Sequence, residues 1–151
     1  MLGWQKIIVI IWGLFSLALS LKGFYESSAK KNVYGLTPHL FPFGIFVWGD
    51  AVIIGFFWSL VSIFIYILKD WYLILLIFCV FWTVRSLGEA FYWLNQQFTS
   101  INNKNPIQNL KLSSIFHSDA VWFANQVIWQ CASVIFIILT LYTAHLWLNG
   151  L

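Results

Sequence analysis

The chain has 151 residues, of which 61% are hydrophobic, only 9% are charged, and the net charge is +3. Soluble domains usually carry roughly 25% charged residues, so this composition excludes a protein whose whole surface faces water. No basic cluster alternates with aromatic residues, and nucleic acid is therefore excluded as a partner. Aromatic residues make up 21% of the chain, and Trp and Tyr are typical of membrane interfaces. The composition predicts an integral membrane protein.

Four apolar runs, taken in chain order, are candidates for membrane spans. The second, third and fourth are long enough to cross a bilayer, whose core of about 30 Å needs about 20 helical residues. The first run is short, and we expect Trp4 and Phe24 to extend it as interfacial anchors. It also resembles a signal peptide, which we interpret as a retained first helix. The predicted helices cover residues 4–24, 41–68, 71–94 and 119–148. The sequence thus predicts an all-α fold: a polytopic integral membrane protein with a single transmembrane domain over residues 1–151, built as a four-helix antiparallel transmembrane bundle.

Small residues recur along the first two predicted helices. They are Gly13, Ser16 and Ser20 in the first helix, and Gly55, Ser59 and Ser62 in the second. Small side chains let helix backbones approach closely in membranes. The pattern therefore predicts close packing between these two helices.

The connections between the helices predict the topology. Lys69 and Asp70 alone separate the second helix from the third, which indicates a tight antiparallel turn. With four spans, both termini lie on the same side of the membrane as this turn, and the two long loops lie on the other side. Lysines near the helix ends are fewer on the first side than on the second: Lys6 and Lys69 against Lys22, Lys30, Lys31, Lys104 and Lys111. The positive-inside rule places the long loops in the cytoplasm, although a signal-like first helix argues for the opposite orientation.

Two opposite charges, Arg85 and Glu89, interrupt the third apolar run at helical spacing. Four residues apart, they share one helix face and are spaced for an ion pair. Counted at about 1.5 Å per residue from the Lys69–Asp70 turn, Asp50 of the second helix lies at the level of Glu89, and Arg85 lies one turn deeper. We expect the Arg85 guanidinium to reach both carboxylates.

Polar residues of the fourth helix reach the same predicted depth. Gln126 and Gln130 are four residues apart, and Gln130 is expected between the levels of Arg85 and Glu89. The halves of the helices near the short turn are almost wholly apolar. We therefore expect a dead-end pocket that opens toward the long loops, or to the lipid at that level, and no through-pore in the monomer. Its predicted ligand-binding residues are Asp50, Arg85, Glu89, Gln126, Gln130, Trp82 and Tyr92, and its predicted rim consists of His39, His117 and Asp119.

Three interpretations of this cluster stay open at the level of the sequence. In the first, Arg85 extends its side chain to the headgroups, as long basic side chains near helix ends do. In the second, Asp50, Arg85 and Glu89 form a structural knot that only locks the helices together. In the third, the cluster is a ligand or ion site, because ionisable groups inside a membrane segment indicate a functional site.

The functional hypotheses fall into three classes. The first is a protein that binds or translocates a small polar or amphipathic ligand, and Arg85 favours an anionic one. The second is an accessory or scaffold subunit of a larger membrane complex. The third is a membrane enzyme that uses Glu89 or a histidine as general acid or base, although no nucleophile–base arrangement supports an enzyme.

The partners and cofactors follow from the same residues. No histidine or carboxylate pair has the spacing of metal ligands on a helix, so no metal is expected, and no motif names a cofactor. The expected partners are membrane lipid and, within the membrane, other proteins or further copies of the chain.

Overall fold

The computed structural model describes residues 1–99, 111–116 and 118–150. Over these residues the chain is all-helical, with one isolated β-bridge and no strand. The long helices are α1 (Gly3–Ser28), α2 (Trp48–Leu68), α3 (Trp71–Phe98) and α4 (Ala120–Asn149), with short 3-10 helices at Pro38–Phe43 and Lys111–Ser114. Each of the four α-helices is long and apolar enough to cross a membrane, which confirms the predicted helix content.

The chain divides into two compact units, Met1–Leu75 and Leu76–Leu151. The first unit contains α1, α2 and the first residues of α3. The second contains the rest of α3 together with α4. Each unit is organised around one pair of helices.

In the first unit, α1 and α2 pack backbone to backbone through small residues. A Cβ added at Gly55 would lie 2.7 Å from the Ser16 carbonyl oxygen, and one at Gly13 would lie 2.8 Å from the Ser62 Cβ. The Ser20 hydroxyl donates across the contact to the Val52 carbonyl oxygen at 2.8 Å. The predicted close packing is therefore confirmed, and the pairing of early α1 residues with late α2 residues makes the two helices antiparallel.

A tight turn ends this pair. Lys69 adopts the left-handed conformation with φ of 57°, and the Asp70 carboxylate accepts the backbone N–H of Leu73 at 3.1 Å, which satisfies a free donor at the start of α3. The amino group of Met1 donates to the Lys69 carbonyl oxygen at 3.2 Å. The beginning of the chain therefore lies beside the turn, as the predicted antiparallel order requires of α1 and α2.

In the second unit, α3 and α4 are joined through large and polar side chains. The Trp82 ring stacks on Phe136 with centroids 5.4 Å apart and planes inclined by 13°. The Thr83 and Thr140 hydroxyls are 3.2 Å apart, and the Gln97 amide donates to the Gln126 Oε1 at 2.6 Å. Thr83 and Gln97 are separated by 14 residues, as are Gln126 and Thr140, so these two helices are antiparallel as well.

The second helix begins at Trp48, seven residues later than the predicted start at residue 41. Pro38 and Pro42 lie in the short 3-10 helix, and Gly44 follows it in the left-handed conformation with φ of 73°. Proline cannot donate a helical hydrogen bond, and a left-handed residue ends a helix. The apolar run FPFGIFV is therefore a folded segment that precedes the helix.

Two other helices continue beyond their predicted ends. The first runs to Ser28 and the third to Phe98, where the apolar pattern predicted ends at residues 24 and 94. Hydropathy marks the end of an apolar run, but polar residues such as Gln96 and Gln97 are good helix formers. The α3 helix therefore continues for another turn outside the apolar stretch.

Candidate functional site

Arg85 and Glu89 form an ion pair within α3. The Arg85 Nη2 lies 3.5 Å from the Glu89 Oε1, and the two side chains are 25% and 17% exposed. The helical spacing of four residues places the charges side by side, as the sequence predicts. Both side chains are thus largely shielded and partly exposed.

The ion pair lies at the edge of the α3 face that contacts α4. At 3.6 residues per turn, Arg85 is roughly 140° and Glu89 roughly 100° around the helix from the face that carries Thr83 and Gln97. Ser86, which lies close to that contact face, is fully buried and donates its hydroxyl hydrogen to the Trp82 carbonyl oxygen at 2.6 Å. Glu89 lies seven residues after Trp82, roughly 20° from it around the helix, and Trp82 stacks on Phe136 of α4, so the charged pair borders the contact with α4.

Asp50 belongs to the first unit and stabilises the segment before α2. Its Oδ2 accepts the backbone N–H of Phe46 at 3.1 Å, and the residue lies in the first turn of α2, where a negative charge is favourable. Asp50 therefore has a structural role that the sequence did not indicate. The predicted contact of Asp50 with Arg85 stays a prediction.

The register of α3 and α4 differs from the one predicted by counting residues. Gln126 is opposite Gln97, eight residues and roughly 12 Å beyond Glu89. By the same register, Gln130 falls opposite Trp93, roughly 6 Å beyond Glu89, and is exposed. The partner residue Gln97 was missed because it lies on another face of α3 than Arg85 and Glu89, and only the pairing across the helices identifies it.

The two predicted aromatic residues have different surroundings. Trp82 is 6% exposed and stacked on Phe136, so it belongs to the contact between α3 and α4. Tyr92 is 42% exposed and meets the Trp93 ring edge-on at 5.3 Å. Trp82 therefore contributes to packing, whereas Tyr92 is accessible to a ligand.

The predicted rim residues are distributed over the loops. His39 is exposed, and its ring centroid lies 6.5 Å from that of Trp48. Asp119 is exposed and directly precedes α4. His117 lies outside the described residues, as does Lys104, which contributes to the predicted orientation.

The loop end of α1 carries a basic group in a stable ion pair. The Lys30 Nζ donates to the Glu26 Oε1 at 2.7 Å. This hydrogen bond, together with the charge of Glu26, raises the pKa of Lys30 above its ordinary value. Lys30 therefore stays positively charged at the end of the helix.

Two shallow apolar grooves lie within the units, and neither contains the predicted site residues. One, of about 230 Å³, lies in the first unit over Gly13, Ser59 and Ser62. The other, of about 300 Å³, lies on α4 over Ala120 and Ala124. The predicted pocket at Arg85 stays a prediction.

Metal-binding side chains are scattered over the described residues. No three or more of His, Cys, Asp and Glu come together there to hold a metal ion. Cys79 is buried and Cys131 is exposed, and both are free thiols.

The chain was compared with protein-family models, curated proteins and solved structures. None of the three comparisons finds a match.

Proposed function

We propose that the chain is an integral membrane protein whose four α-helices cross the bilayer as an antiparallel bundle. Each helix has an apolar stretch of sufficient length, and large apolar side chains are exposed along all four helices. Exposing this apolar surface to water would cost free energy, whereas lipid is a suitable solvent for it. With four spans, both termini lie on the side of the Lys69–Asp70 turn.

We further propose that the Arg85–Glu89 pair binds, or helps to translocate, a small polar or amphipathic ligand with an anionic group. The observation that carries this proposal is the shielded ion pair at 3.5 Å on an otherwise uncharged helix. An arginine at the centre of a membrane helix costs about 2.5–3.5 kcal/mol on insertion scales. Such residues are rare in membrane helices and mark ligand or ion pathways.

The chemistry of arginine determines the ligand class. A guanidinium carries five N–H donors in a planar fork that matches a carboxylate or a phosphate. A carboxylate or phosphate ligand would thus match the Arg85 guanidinium, and Tyr92 would contact the apolar part of such a ligand.

Thermal unfolding of the purified protein in an uncharged detergent tests this function. We would add phosphatidylglycerol, phosphatidylcholine or a small phosphate or carboxylate compound in separate experiments. A ligand at 100 times its dissociation constant stabilises the folded state by about 2.7 kcal/mol. An anionic compound should raise the unfolding temperature of the wild type, and phosphatidylcholine should not.

Arg85→Gln should abolish this increase, while Lys69→Gln, which removes a positive charge at the turn, should retain it. Arg85→Lys should retain part of the increase, because lysine keeps the charge and loses the planar fork. Equal increases in the wild type and in Arg85→Gln would refute a site at Arg85.

An accessory subunit is the second candidate, and α4 favours it. Only 11% of the residues in the most apolar stretch of α4 are buried, the smallest share among the four helices. A helix this poorly covered has a long face that a larger membrane protein could pack against. In the same experiment, an accessory subunit would gain stability from a protein partner and from none of the added compounds.

A further inference from the structure

We propose that residues 33–49 form a re-entrant hairpin, which enters the membrane from the side of the long loops, turns near the middle of the bilayer and returns to the same side. Its exposed apolar side chains then contact the acyl chains of one leaflet. This inference rests on the proposed membrane insertion of α1 and α2, and it is independent of the ligand proposed for Arg85.

The depth of the hairpin is given by its contacts with α1. The Phe43 ring lies 5.0 Å from the Trp12 ring and 5.1 Å from the Phe15 ring, centroid to centroid. These two residues lie 16 and 13 positions before Ser28, the end of α1, or roughly 20–24 Å along the helix. A helix of 26 residues is about 39 Å long, so the Phe43 ring lies beside the middle of α1.

The hairpin makes further contacts with α1 and α2 between the middle of the helices and their ends at the long loops. Leu40 and Ile45, on either side of the hairpin tip, are buried in one cluster with Leu19 of α1 and Ala51 of α2. Leu19 lies between Phe15 and the end of α1. The hairpin therefore follows the helix pair continuously from its loop end to its middle.

Backbone hydrogen bonds join the two sides of the hairpin and satisfy polar groups that lipid cannot. The Gly49 N–H donates to the Val33 carbonyl oxygen at 2.9 Å, and the Thr37 N–H donates to the Phe46 carbonyl oxygen at 2.9 Å. The Phe46 N–H donates to the Asp50 carboxylate. Pro38 and Pro42 have no N–H to satisfy. The arrangement explains why Asp50 stands at the start of α2.

The exposed side chains of the hairpin form the surface that meets lipid. Tyr34 is 87% exposed, Leu36 is 78% exposed and Phe41 is 48% exposed. Along the hairpin, Tyr34 lies near its base, Leu36 pairs with Val47 just before α2, and Phe41 lies near the tip. Tyrosine is typical of the headgroup boundary, and leucine and phenylalanine of the hydrocarbon. The order of these residues matches an increasing depth in one leaflet.

Basic and aromatic groups hold the base of the hairpin at the interface. The Lys22 Nζ lies 5.0 Å from the centre of the Trp48 ring at the start of α2. Tryptophan and lysine are typical anchors at the boundary between headgroups and hydrocarbon. The base is thus anchored while the tip is apolar.

Fluorescence quenching by lipid at known depth tests the hairpin. Single cysteines would replace Tyr34, Leu36, Phe41 and, as a reference in the middle of α2, Leu60, in a chain with Cys79→Ala and Cys131→Ala. These four positions are exposed or half-exposed, so a probe on them leaves the buried core intact. Each labelled protein is reconstituted in phosphatidylcholine vesicles that carry a nitroxide either at the headgroup or in the middle of the acyl chain.

The probe at position 41 should be quenched more strongly by the acyl-chain nitroxide, like the Leu60 reference. The probe at position 34 should be quenched more strongly by the headgroup nitroxide, and the probe at position 36 should be intermediate. A membrane-impermeant maleimide should label Lys31→Cys rapidly and Phe41→Cys slowly from the side of the long loops.

Two outcomes would overturn the proposal, and they are distinguishable. Headgroup quenching and fast maleimide labelling at position 41, with acyl-chain quenching at position 60, would show a hairpin lying outside the membrane beside helices that cross it. Failure of the acyl-chain nitroxide to quench the Leu60 reference would show that α2 does not cross the bilayer, and the proposed membrane insertion would fall together with the hairpin.

Discussion

The helix pairs α1–α2 and α3–α4 are both apolar and antiparallel, yet they are joined in opposite ways. In the first pair the backbones touch, because Gly13, Gly23 and Gly55 leave no side chain between them. In the second pair the contact is made by side chains, of which the stacked Trp82 and Phe136 rings are the largest. The first contact thus depends on small residues that let the backbones approach, and the second on large side chains that pack against each other.

This difference has a physical cause and a consequence. Apolar side chains gain little when they leave lipid for another apolar helix, so helices in a bilayer associate through close packing and hydrogen bonds. Small residues and serines achieve this in α1–α2, whereas aromatic stacking and paired Thr and Gln side chains achieve it in α3–α4. We therefore expect larger side chains in the α1–α2 contact, and smaller side chains in the α3–α4 contact, to lower the stability of the folded protein.

The largest expected effect comes from adding one methyl group to the first contact. Gly55→Ala would place a Cβ 2.7 Å from the Ser16 carbonyl oxygen and 2.8 Å from the Ser20 backbone nitrogen. Both are backbone atoms that cannot move without shifting α1. We expect a loss of stability of about 1–3 kcal/mol, as for overpacked cores, measured by thermal unfolding in detergent through the loss of helical circular dichroism.

Gly88→Ala in α3 is the matched control, because a Cβ there meets no described heavy atom within 4 Å. Alanine is favoured over glycine in a helix interior by about 1 kcal/mol, so this variant should be as stable as the wild type or more stable. Destabilisation of both variants to the same extent would refute the difference between the two contacts.

A smaller effect is expected from the aromatic stack in the second contact. A double-mutant cycle of Trp82→Leu and Phe136→Leu should give a coupling energy of about 0.5–1.5 kcal/mol, the usual value for an aromatic pair beyond its buried area. Phe91 of α3 is 63% exposed, and Phe91→Leu combined with Phe136→Leu should be additive. Coupling of equal size in both cycles would show that the stack is not what joins α3 to α4.

The sequence predicts the first contact better than the second. Small residues at helical spacing identify the α1–α2 contact directly, because they mark the helix faces along which the backbones can approach closely. The α3–α4 register is set by large side chains across the contact, and counting residues from a predicted helix end displaced Gln130 by roughly 9 Å. The long connection between these helices fixes no register either.

The sequence analysis did not predict the hairpin, again because the contacts that define it are distant in sequence. Hydropathy does not distinguish a buried irregular segment from a helix, so FPFGIFV extends the second apolar run without a break. Pro42 and Gly44 were the local signals against a helix. The depth of Phe43 depends on contacts with residues about 30 positions earlier, which no local pattern contains. The position of Arg85 and Glu89 on one helix face was local and was predicted correctly.

The smallest expected effect distinguishes two serines of the first contact. The Ser20 hydroxyl donates across the contact to the Val52 carbonyl oxygen at 2.8 Å, so Ser20→Ala should remove an interhelical hydrogen bond worth about 0.6 kcal/mol. The Ser16 hydroxyl is buried and has no hydrogen-bond partner among the described residues. Ser16→Ala therefore removes an unsatisfied polar atom and should be neutral or stabilising. Thermal unfolding of the two variants under one set of conditions measures the difference in stability. A larger loss of stability for Ser16→Ala than for Ser20→Ala would contradict this expectation. It would show that close packing around the hydroxyls, and not hydrogen bonding across the contact, determines the stability of α1–α2.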